Sequence, residues 1–375
     1  MEIGLVVYGG LDETSGGFRY DRRLVDYLRQ RGDTVDVIAL PWRDYWRGVV
    51  DGLRPTVATR LNRSVDVLLQ DELCHPSLWR QNRRLTRPGA VVALVHHVGS
   101  DDQRGRFPRL QRWIERRYLD SVDGAVCTSA FTRRRASALG ADLGESLVAP
   151  PAGRVEDAAT DATAVRKRAA DGPLRITFVG NLLPRKDLLT LLSGVDTLAR
   201  RHECTDWKLT IVGSHEVDPS YAAAAVDRAA ELGIDDRVAF TGEVDDDELT
   251  TVLEASHVLC VPSRYEGFGM VYLEAMEYGV VPIASANGGA GEFIRGGDNG
   301  FLVDPGDADR IAALLADLAA DRNRLADLGV AALDTAAAHP SWDETMAEVR
   351  SLLAQLSTAA DSTPTAPPES RGGRS

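Results

Sequence analysis

Short apolar runs that stop at glycine constrain this chain more than any other feature. Residues 3–8 read Ile-Gly-Leu-Val-Val-Tyr and end at Gly9-Gly10; Leu174–Val179 ends at Gly180, and Leu209–Val212 ends at Gly213. A run apolar at nearly every position suits a strand buried on both faces, which is the condition of a parallel sheet covered by helices. After the first run, Leu24, Val25 and Leu28 share one helical face, Gly32 stops the helix, and Val35–Leu40 looks like the next strand. Strand, loop, helix and strand in that order form the repeating unit of a parallel sheet.

The unit recurs in two series. In the first, Val65–Leu69, Val91–Val95 and Ala125–Thr128 are strand-like. The second begins at 174 and adds Val238–Phe240, Val258–Val261 and Val281–Ala284 as strands. Helices are expected near 187–200, at Tyr221–Leu232, around Leu249–Ala255 and at Gly269–Tyr278. Residues 156–170 are polar and Ala-rich, as in a linker or connecting helix. A chain of 375 residues is too long for one ordinary core. The expected fold is α/β, with two doubly wound Rossmann-like domains, 1–170 and 171–340. An amphipathic helix follows at 341–356. The tail 357–375 lacks large apolar residues and is expected to be disordered.

Bulk properties remove several function classes. No run is long and apolar enough to span a bilayer. The N-terminus has neither a basic region nor a cleavage site, and reads as a first strand rather than a signal peptide. Cys74, Cys127, Cys204 and Cys260 are far apart, so neither a zinc site nor a disulfide framework is indicated, and reduced thiols in the cytoplasm are the expected state. No G-x-G-x-x-G follows a first strand, which argues against a Rossmann dehydrogenase. Residues 1–170 carry 27 Lys+Arg against 22 Asp+Glu, and residues 171–375 carry 16 against 34. A basic half and an acidic half suggest different partners.

The densest chemical signal is the segment Ser263-Arg264-Tyr265-Glu266-Gly267-Phe268-Gly269-Met270-Val271-Tyr272-Leu273-Glu274. A strand ends at Pro262, a glycine-containing loop follows, and a helix begins. Unpaired N–H groups at such a junction suit a phosphate or diphosphate, and Gly267 and Gly269 let backbone approach a ligand closely. Glu274 is flanked by Leu273, Ala275 and Met276. An ionised carboxylate among apolar neighbours wants partners, and sugar hydroxyls can supply them. A surface glutamate and a loop salt bridge would give the same spacing.

Glu266 and Glu274 match the E-x7-E motif of the retaining GT-B glycosyltransferases, in particular family 4, and the surrounding text resembles that family. Pro262-Ser263 precede the motif. Glu274-Ala275-Met276, Gly279, Pro282, Gly288-Gly289, Glu292 and Asn299-Gly300-Phe301-Leu302-Val303 follow it in the family's order. The likeness runs from about 174 to about 310 and is weaker before. It implies a GT-B fold with the two domains facing a central cleft, and transfer of a sugar from a nucleotide-diphosphate-sugar without a metal or other cofactor. Glu274 would bind the donor's ribose hydroxyls, and Glu266 would contact the transferred sugar. Backbone N–H groups of Gly267, Phe268 and Gly269 would hold sugar and diphosphate. The helix at 341–356 would cross back to the first domain.

Gly180-Asn181-Leu182-Leu183-Pro184-Arg185-Lys186 follows the first strand of the second series. A departing diphosphate gathers negative charge, which a fixed cation stabilises best where water is excluded. Lys186 matches the family's lysine. Asn181 stands where the family usually has arginine, and Arg185 is the replacement cation at hand. By the same resemblance Gly16-Gly17 would lie over the donor phosphates, and His96 would be the active-site histidine near the transferred sugar, with His97 as the alternative.

Asp245-Asp246-Asp247 invites comparison with metal-binding D-x-D sites, but Asp before Glu248–Leu249 is good N-capping material. No Asp/His cluster elsewhere in the sequence suggests a metal. Arg104, Arg106, Arg109, Arg112, Arg116 and Arg117 form a basic stretch whose helical face lies beside an apolar stripe of Leu110, Trp113, Ile114 and Tyr118. Such a stretch suits either a solvated helix packed through its stripe, or peripheral contact with an anionic membrane at its inner face. The expected partners are a nucleotide-sugar donor and a glycan, lipid-linked or small-molecule acceptor, with no nucleic acid. A non-catalytic nucleotide-sugar-binding protein, or another enzyme on the same architecture (an epimerase, or a disaccharide synthase or phosphorylase), are the rival readings.

Overall fold

A computed structural model describes residues 1–12, 15–99, 107–155 and 160–361. The first series of units forms β1 (Glu2–Tyr8), α1 (Gly16–Gln30), β2 (Thr34–Leu40), α2 (Tyr45–Asp51), α3 (Pro55–Leu61), β3 (Val67–Asp71), α4 (His75–Leu78), β4 (Ala90–Val95), α5 (Pro108–Leu119), β5 (Gly124–Cys127), α6 (Ala130–Ala138) and β6 (Glu145–Val148). The second forms α7 (Ala162–Ala169), β7 (Leu174–Val179), α8 (Leu188–Arg201), β8 (Trp207–Val212), α9 (Pro219–Leu232), β9 (Val238–Gly242), α10 (Asp246–Ala255), β10 (Val258–Val261), α11 (Met270–Met276), β11 (Val281–Ser285), β12 (Phe301–Val303), α12 (Ala308–Ala320), α13 (Arg322–Ala337) and α14 (Trp342–Asp361).

The strands make two six-stranded parallel sheets, ordered β2-β1-β3-β4-β5-β6 and β12-β11-β10-β7-β8-β9. The apolar runs have the expected cause. Along β1, Ile3, Leu5 and Val7 enter one core, while Val6 and Tyr8 enter another on the opposite face. Strand order reverses between β1 and β3 in one sheet and between β7 and β10 in the other. Ligands of open α/β sheets collect in the crevice beyond the strand ends at such switch points.

Helix α14 leaves the second lobe and packs on the first. Trp342, Met346, Val349, Leu353 and Leu356, spaced along one helical face, join the core that contains Ile3, Leu5, Leu24 and Leu28. Two chain crossings then lie side by side: Trp342 Nε1 donates to Gly153 O (2.8 Å), and Thr345 Oγ1 donates to Pro150 O (2.9 Å).

Several boundaries differ from the expectation. β3 starts at Val67 and runs to Asp71, because Val65 N–H bonds back to Arg63 O in a turn. Helix α14 continues five residues past Leu356: Thr358 Oγ1 bonds to Ala354 O, and helix-forming alanines prolong it through Asp361. Residues 362–375 of the expected disordered tail lie outside the described residues, as do Thr14, Arg104 and Arg106. Of the polar segment 156–170, residues 156–159 lie outside the described residues, and Ala162–Ala169 form helix α7, capped by Asp161 Oδ1, which accepts from Ala164 N at 2.8 Å. Among the described residues, no helix is long and apolar enough to cross a membrane.

Candidate active site

A cavity of about 470 Å³ lies between the carboxyl ends of the two sheets, and both lobes line it. Its second-lobe wall is built from two loops tied together. After β7 the chain makes a short turn at Pro184–Lys186, and Asp187 takes a left-handed conformation (φ 53°) to open α8. Arg264 N donates to Arg185 O (2.8 Å), joining this turn to the loop that follows β10. There Lys186 Nζ donates to Glu266 Oε2 at 2.6 Å, Ser263 Oγ donates to the same oxygen at 3.2 Å, and Arg185 Nη1 stands 3.5 Å from Oε1. Burial would push the Glu266 carboxyl up, but Lys186 and then Arg185 outweigh it and hold it at about 2. Burial draws the Lys186 ammonium below its ordinary value, and Glu266 opposes that shift.

Backbone shape fixes the loop. Gly269 has φ +93°, and a Cβ there would meet the ring of Tyr272 at 2.5 Å, so only glycine fits. Gly289 packs against it so closely that a Cβ would lie 2.4 Å from Gly267 O. Phe268 is buried against Phe293, with ring centroids 5.0 Å apart. Glu274, on α11, is also buried, yet its partners come from elsewhere in the chain: Arg19 of α1 and Arg154 of the crossing segment, the latter at 3.6 Å.

The first-lobe wall is α1 and the ends of β3 and β4. Ser15 caps α1 by accepting from Phe18 N (3.4 Å). A Cβ on Gly17 would stand 3.2 Å from the His96 ring, and one on Gly16 would stand 3.3 Å from Met270 Sδ, so the small residues let α1 approach both lobes. His96 Nε2 is 3.0 Å from Asp21 Oδ1. Burial alone would lower His96, but Asp21, with Asp71 and Glu72 beyond, lifts it to about 9. His97 is pulled down to about 4 by burial and by Arg185. The two neighbours therefore differ in charge at neutral pH, one an imidazolium and one neutral.

The lobes touch directly beside the cavity. Ser129 Oγ donates to Gly267 O (2.8 Å), and Val98 N donates to Tyr265 Oη (3.1 Å). The N-terminus of α6 donates from Ala130 N and Phe131 N to Glu292 at 3.0 and 2.6 Å.

The candidate donor-site residues read from the sequence line this cavity: Gly16, Gly17, His96, His97, Asn181, Arg185, Lys186, Glu266, Gly267, Phe268, Gly269 and Glu274. Asn181 and Arg185 line the same wall. Asp245 caps α10 in a capping box with Glu248 (2.8 and 3.2 Å), the capping role the sequence suggested, and Asp246 pairs with Arg154.

Sequence reasoning missed Arg19, Arg154, Asp21 and Asp71. It also missed two groups of carboxylates and imidazole, Asp21–Asp71–His96 and Glu72–His75–Glu115, each with ligand atoms within 4.8 Å of one another. Their members come from α1, the end of β3 and the turn after it, α4, the end of β4 and α5, so no stretch of sequence displays them. A usable signal was the Asp-Glu pair at the end of an apolar strand, at the edge where parallel-sheet sites form. Burial, then the charge of Glu115 and a hydrogen bond to it, raises Glu72 well above the ordinary carboxylate range.

The basic helix α5 also departs from expectation. Ile114 and Tyr118 are buried, but Leu110 and Trp113 remain 43% and 48% exposed, with the Trp113 ring 5.4 Å from that of Trp79.

Known proteins share this architecture. The family described as glycosyl transferases group 1 matches residues 161–334. A GDP-mannose-dependent alpha-(1-6)-phosphatidylinositol monomannoside mannosyltransferase of Mycolicibacterium smegmatis is 32% identical over 317 residues, covering 80% of each chain. A lipopolysaccharide core biosynthesis glycosyltransferase of Rhizobium meliloti is 27% identical over 322 residues, covering 84% of this chain and 89% of its own. Among solved structures, a sucrose-phosphate synthase from Thermosynechococcus elongatus superposes with a TM-score of 0.81 over 96% of this chain and 99% of its own, at 22% identity. An Anabaena protein solved with UDP superposes at 0.73 over 95% and 100%, at 17% identity. With the GT-B architecture in place and the likeness to relatives running through both lobes, the chain belongs to the group 1 glycosyl transferases and is a nucleotide-sugar-dependent glycosyltransferase.

Proposed function

We propose that this enzyme moves a hexosyl group, with retention, from a nucleoside diphosphate sugar held mainly by the second lobe to an acceptor hydroxyl presented by the first. The carrying observation is that Lys186, Glu266 and Glu274 surround one cavity at the lobe boundary. The bond from the anomeric carbon to the diphosphate breaks with its electron pair going to the phosphate oxygen. Lys186 and Arg185 offset that growing charge in a site screened from water. The acceptor oxygen forms the new bond on the same face, and its proton passes to the departing phosphate. Glu266 holds sugar hydroxyls and Glu274 holds the ribose. To do so each must exchange its present ion pair for a ligand contact. No metal takes part.

GDP-mannose and a mannosylated phosphatidylinositol are the first donor and acceptor to test, since they are named for a relative that matches 80% of this chain. A lipid-borne acceptor also fits the first lobe's surface. Trp42, Val50, Phe107, Leu110 and Trp113 are exposed among Arg43, Arg47, Arg109 and Arg112, a combination that suits peripheral contact with an anionic membrane at its inner face. The deciding experiment incubates the enzyme with radiolabelled GDP-mannose and phosphatidylinositol monomannoside in micelles. A labelled lipid whose new bond is α supports the proposal. GDP binding with no product on any acceptor of a broad panel would leave a non-catalytic nucleotide-sugar-binding protein, and a β-linked product would remove retention.

A further inference from the structure

Asp71 occupies the C-terminal end of β3, between β1 and β4 in the sheet, and forms part of the cavity wall. The residue is only 3% exposed. Its Oδ1 accepts a hydrogen bond from Leu73 N at 2.9 Å, which fixes the carboxylate's orientation. Among the described residues, that is the one hydrogen bond its side chain receives. Beside it stand the His96 imidazole and the Asp21 carboxylate, with ligand atoms of all three within 4.8 Å of one another. Asp21 is fully buried, pairs through Oδ1 with His96, and its Oδ2 has no hydrogen-bond partner. A buried carboxylate with an open oxygen facing a cavity is costly unless a ligand donates to it.

The reaction described above leaves this group without a task. Second-lobe residues serve the donor: Lys186 and Arg185 face the diphosphate, Glu274 the ribose, and Glu266 the sugar. Asp71 lies on the first-lobe wall of the cavity, beside His96, the side from which the proposed acceptor is presented. We propose that Asp71 accepts a hydrogen bond from a hydroxyl of the sugar or polyol acceptor and so positions its nucleophilic oxygen, with the Asp21–His96 pair holding the carboxylate in place. Asp71 takes no proton in the net reaction. The acceptor's O–H proton goes to the leaving phosphate oxygen as the new C–O bond replaces the old one, and Asp71 ends the cycle as it began. Burial, then the neighbouring Asp21, raises Asp71 to about 7, and a donating hydroxyl would favour its ionised form.

This inference rests on glycosyl transfer taking place in this cleft, so the test reads donor and acceptor separately. Asp71→Asn keeps the shape of the side chain, and a thermal melt establishes that it folds. With GDP-mannose and phosphatidylinositol monomannoside, kcat/KM for the acceptor should fall about 10- to 100-fold, the range of a lost hydrogen bond to a charged group. The Kd for GDP, measured by calorimetry, should stay within about twofold of the wild type. If the wild type transfers nothing to that lipid, the proposed acceptor is what fails. Asp71 is then read through slow hydrolysis of GDP-mannose, in which water takes the acceptor's place, and the variant should be about tenfold slower. Three results overturn the proposal: acceptor transfer (or hydrolysis) unchanged in the variant; GDP affinity lost in parallel, which makes the role structural or donor-directed; or wild-type activity abolished by EDTA and restored by Mg²⁺ or Mn²⁺, which assigns Asp21, Asp71 and His96 to a cation instead.

Discussion

Arg19 of α1 and Glu274 of α11 form an ion pair across the cleft, one residue from each lobe. Arg154, on the crossing segment, approaches the same carboxylate at 3.6 Å and also pairs with Asp246. Glu274 is thus already satisfied before any ribose arrives, and a nucleotide must displace a cation to reach it. Arg19→Ala removes one of the two competing guanidinium groups while leaving the fold's core untouched. GDP should bind about threefold more tightly by calorimetry, in line with the modest worth of a partly exposed pair. Weaker binding would instead assign the guanidinium to the diphosphate.

The role proposed for Lys186 predicts a large effect on turnover. Lys186→Ala is expected to lower kcat on the order of 10²-fold or more, because the departing diphosphate loses a fixed cation in a screened site. The same change removes the first of the two cations that hold Glu266 at about 2, leaving burial to raise that carboxyl. The acid limb of the pH–rate profile should then move upward in the variant. Unchanged turnover would refute the role.

The His96 charge gives a pH signature. A histidine held at about 9 in the fold, above its ordinary 6.5, contributes stability that is fully present below about pH 6.5 and is lost as pH rises through about 9. In Asp21→Asn the partner charge is gone and burial regains ground, so the imidazole should titrate more than one unit lower by NMR. Denaturant melts should show less loss of stability between neutral and alkaline pH than in the wild type.

Gly267 tests whether the lobes must meet. A Cβ at this position would lie 2.2 Å from His96 O, so even alanine forces the contact apart. Gly267→Ala should lower kcat severalfold or more by admitting water and misplacing Glu266, with little change in melting temperature because each lobe keeps its own core. A crystal structure of the variant with the His96–Gly267 spacing unaltered would remove this explanation.

The exposed half of α5 makes a separate prediction. The enzyme should co-sediment with vesicles containing anionic lipid, more weakly as salt rises, and not with zwitterionic ones. Arg109→Glu with Arg112→Glu should abolish it, since each basic residue near such a surface is worth about 1 kcal/mol. Trp113→Ser should weaken binding at every salt concentration. No lipid dependence in the wild type would remove membrane contact from the proposal.

Much of this molecule was legible before any coordinates. The two series of strand–helix units follow from short apolar runs, several of them ending at glycine, and Glu266 and Glu274 from the segment that joins β10 to α11. Such signals are local: a strand buried on both faces must be apolar throughout, and Gly269 must be glycine because of its own φ. The capping role of Asp245 was local as well, and its partner lies three residues away. Helices α12 and α13 went unforeseen, although Ile311, Leu314, Leu315 and Leu318 carry a helical period.

What no stretch of sequence displays is which side chains meet across the cleft. Asp21, Asp71 and His96 lie on three elements, and Arg19 and Glu274 are 255 positions apart. The sequence by itself settled the periodicity of each element and the chemistry of each loop, because those depend on neighbours within a turn or a strand. Tertiary structure alone decided the pairing of charges and the state of each proton. Both depend on burial and on distances of a few ångströms between groups that only the packing of two lobes brings together.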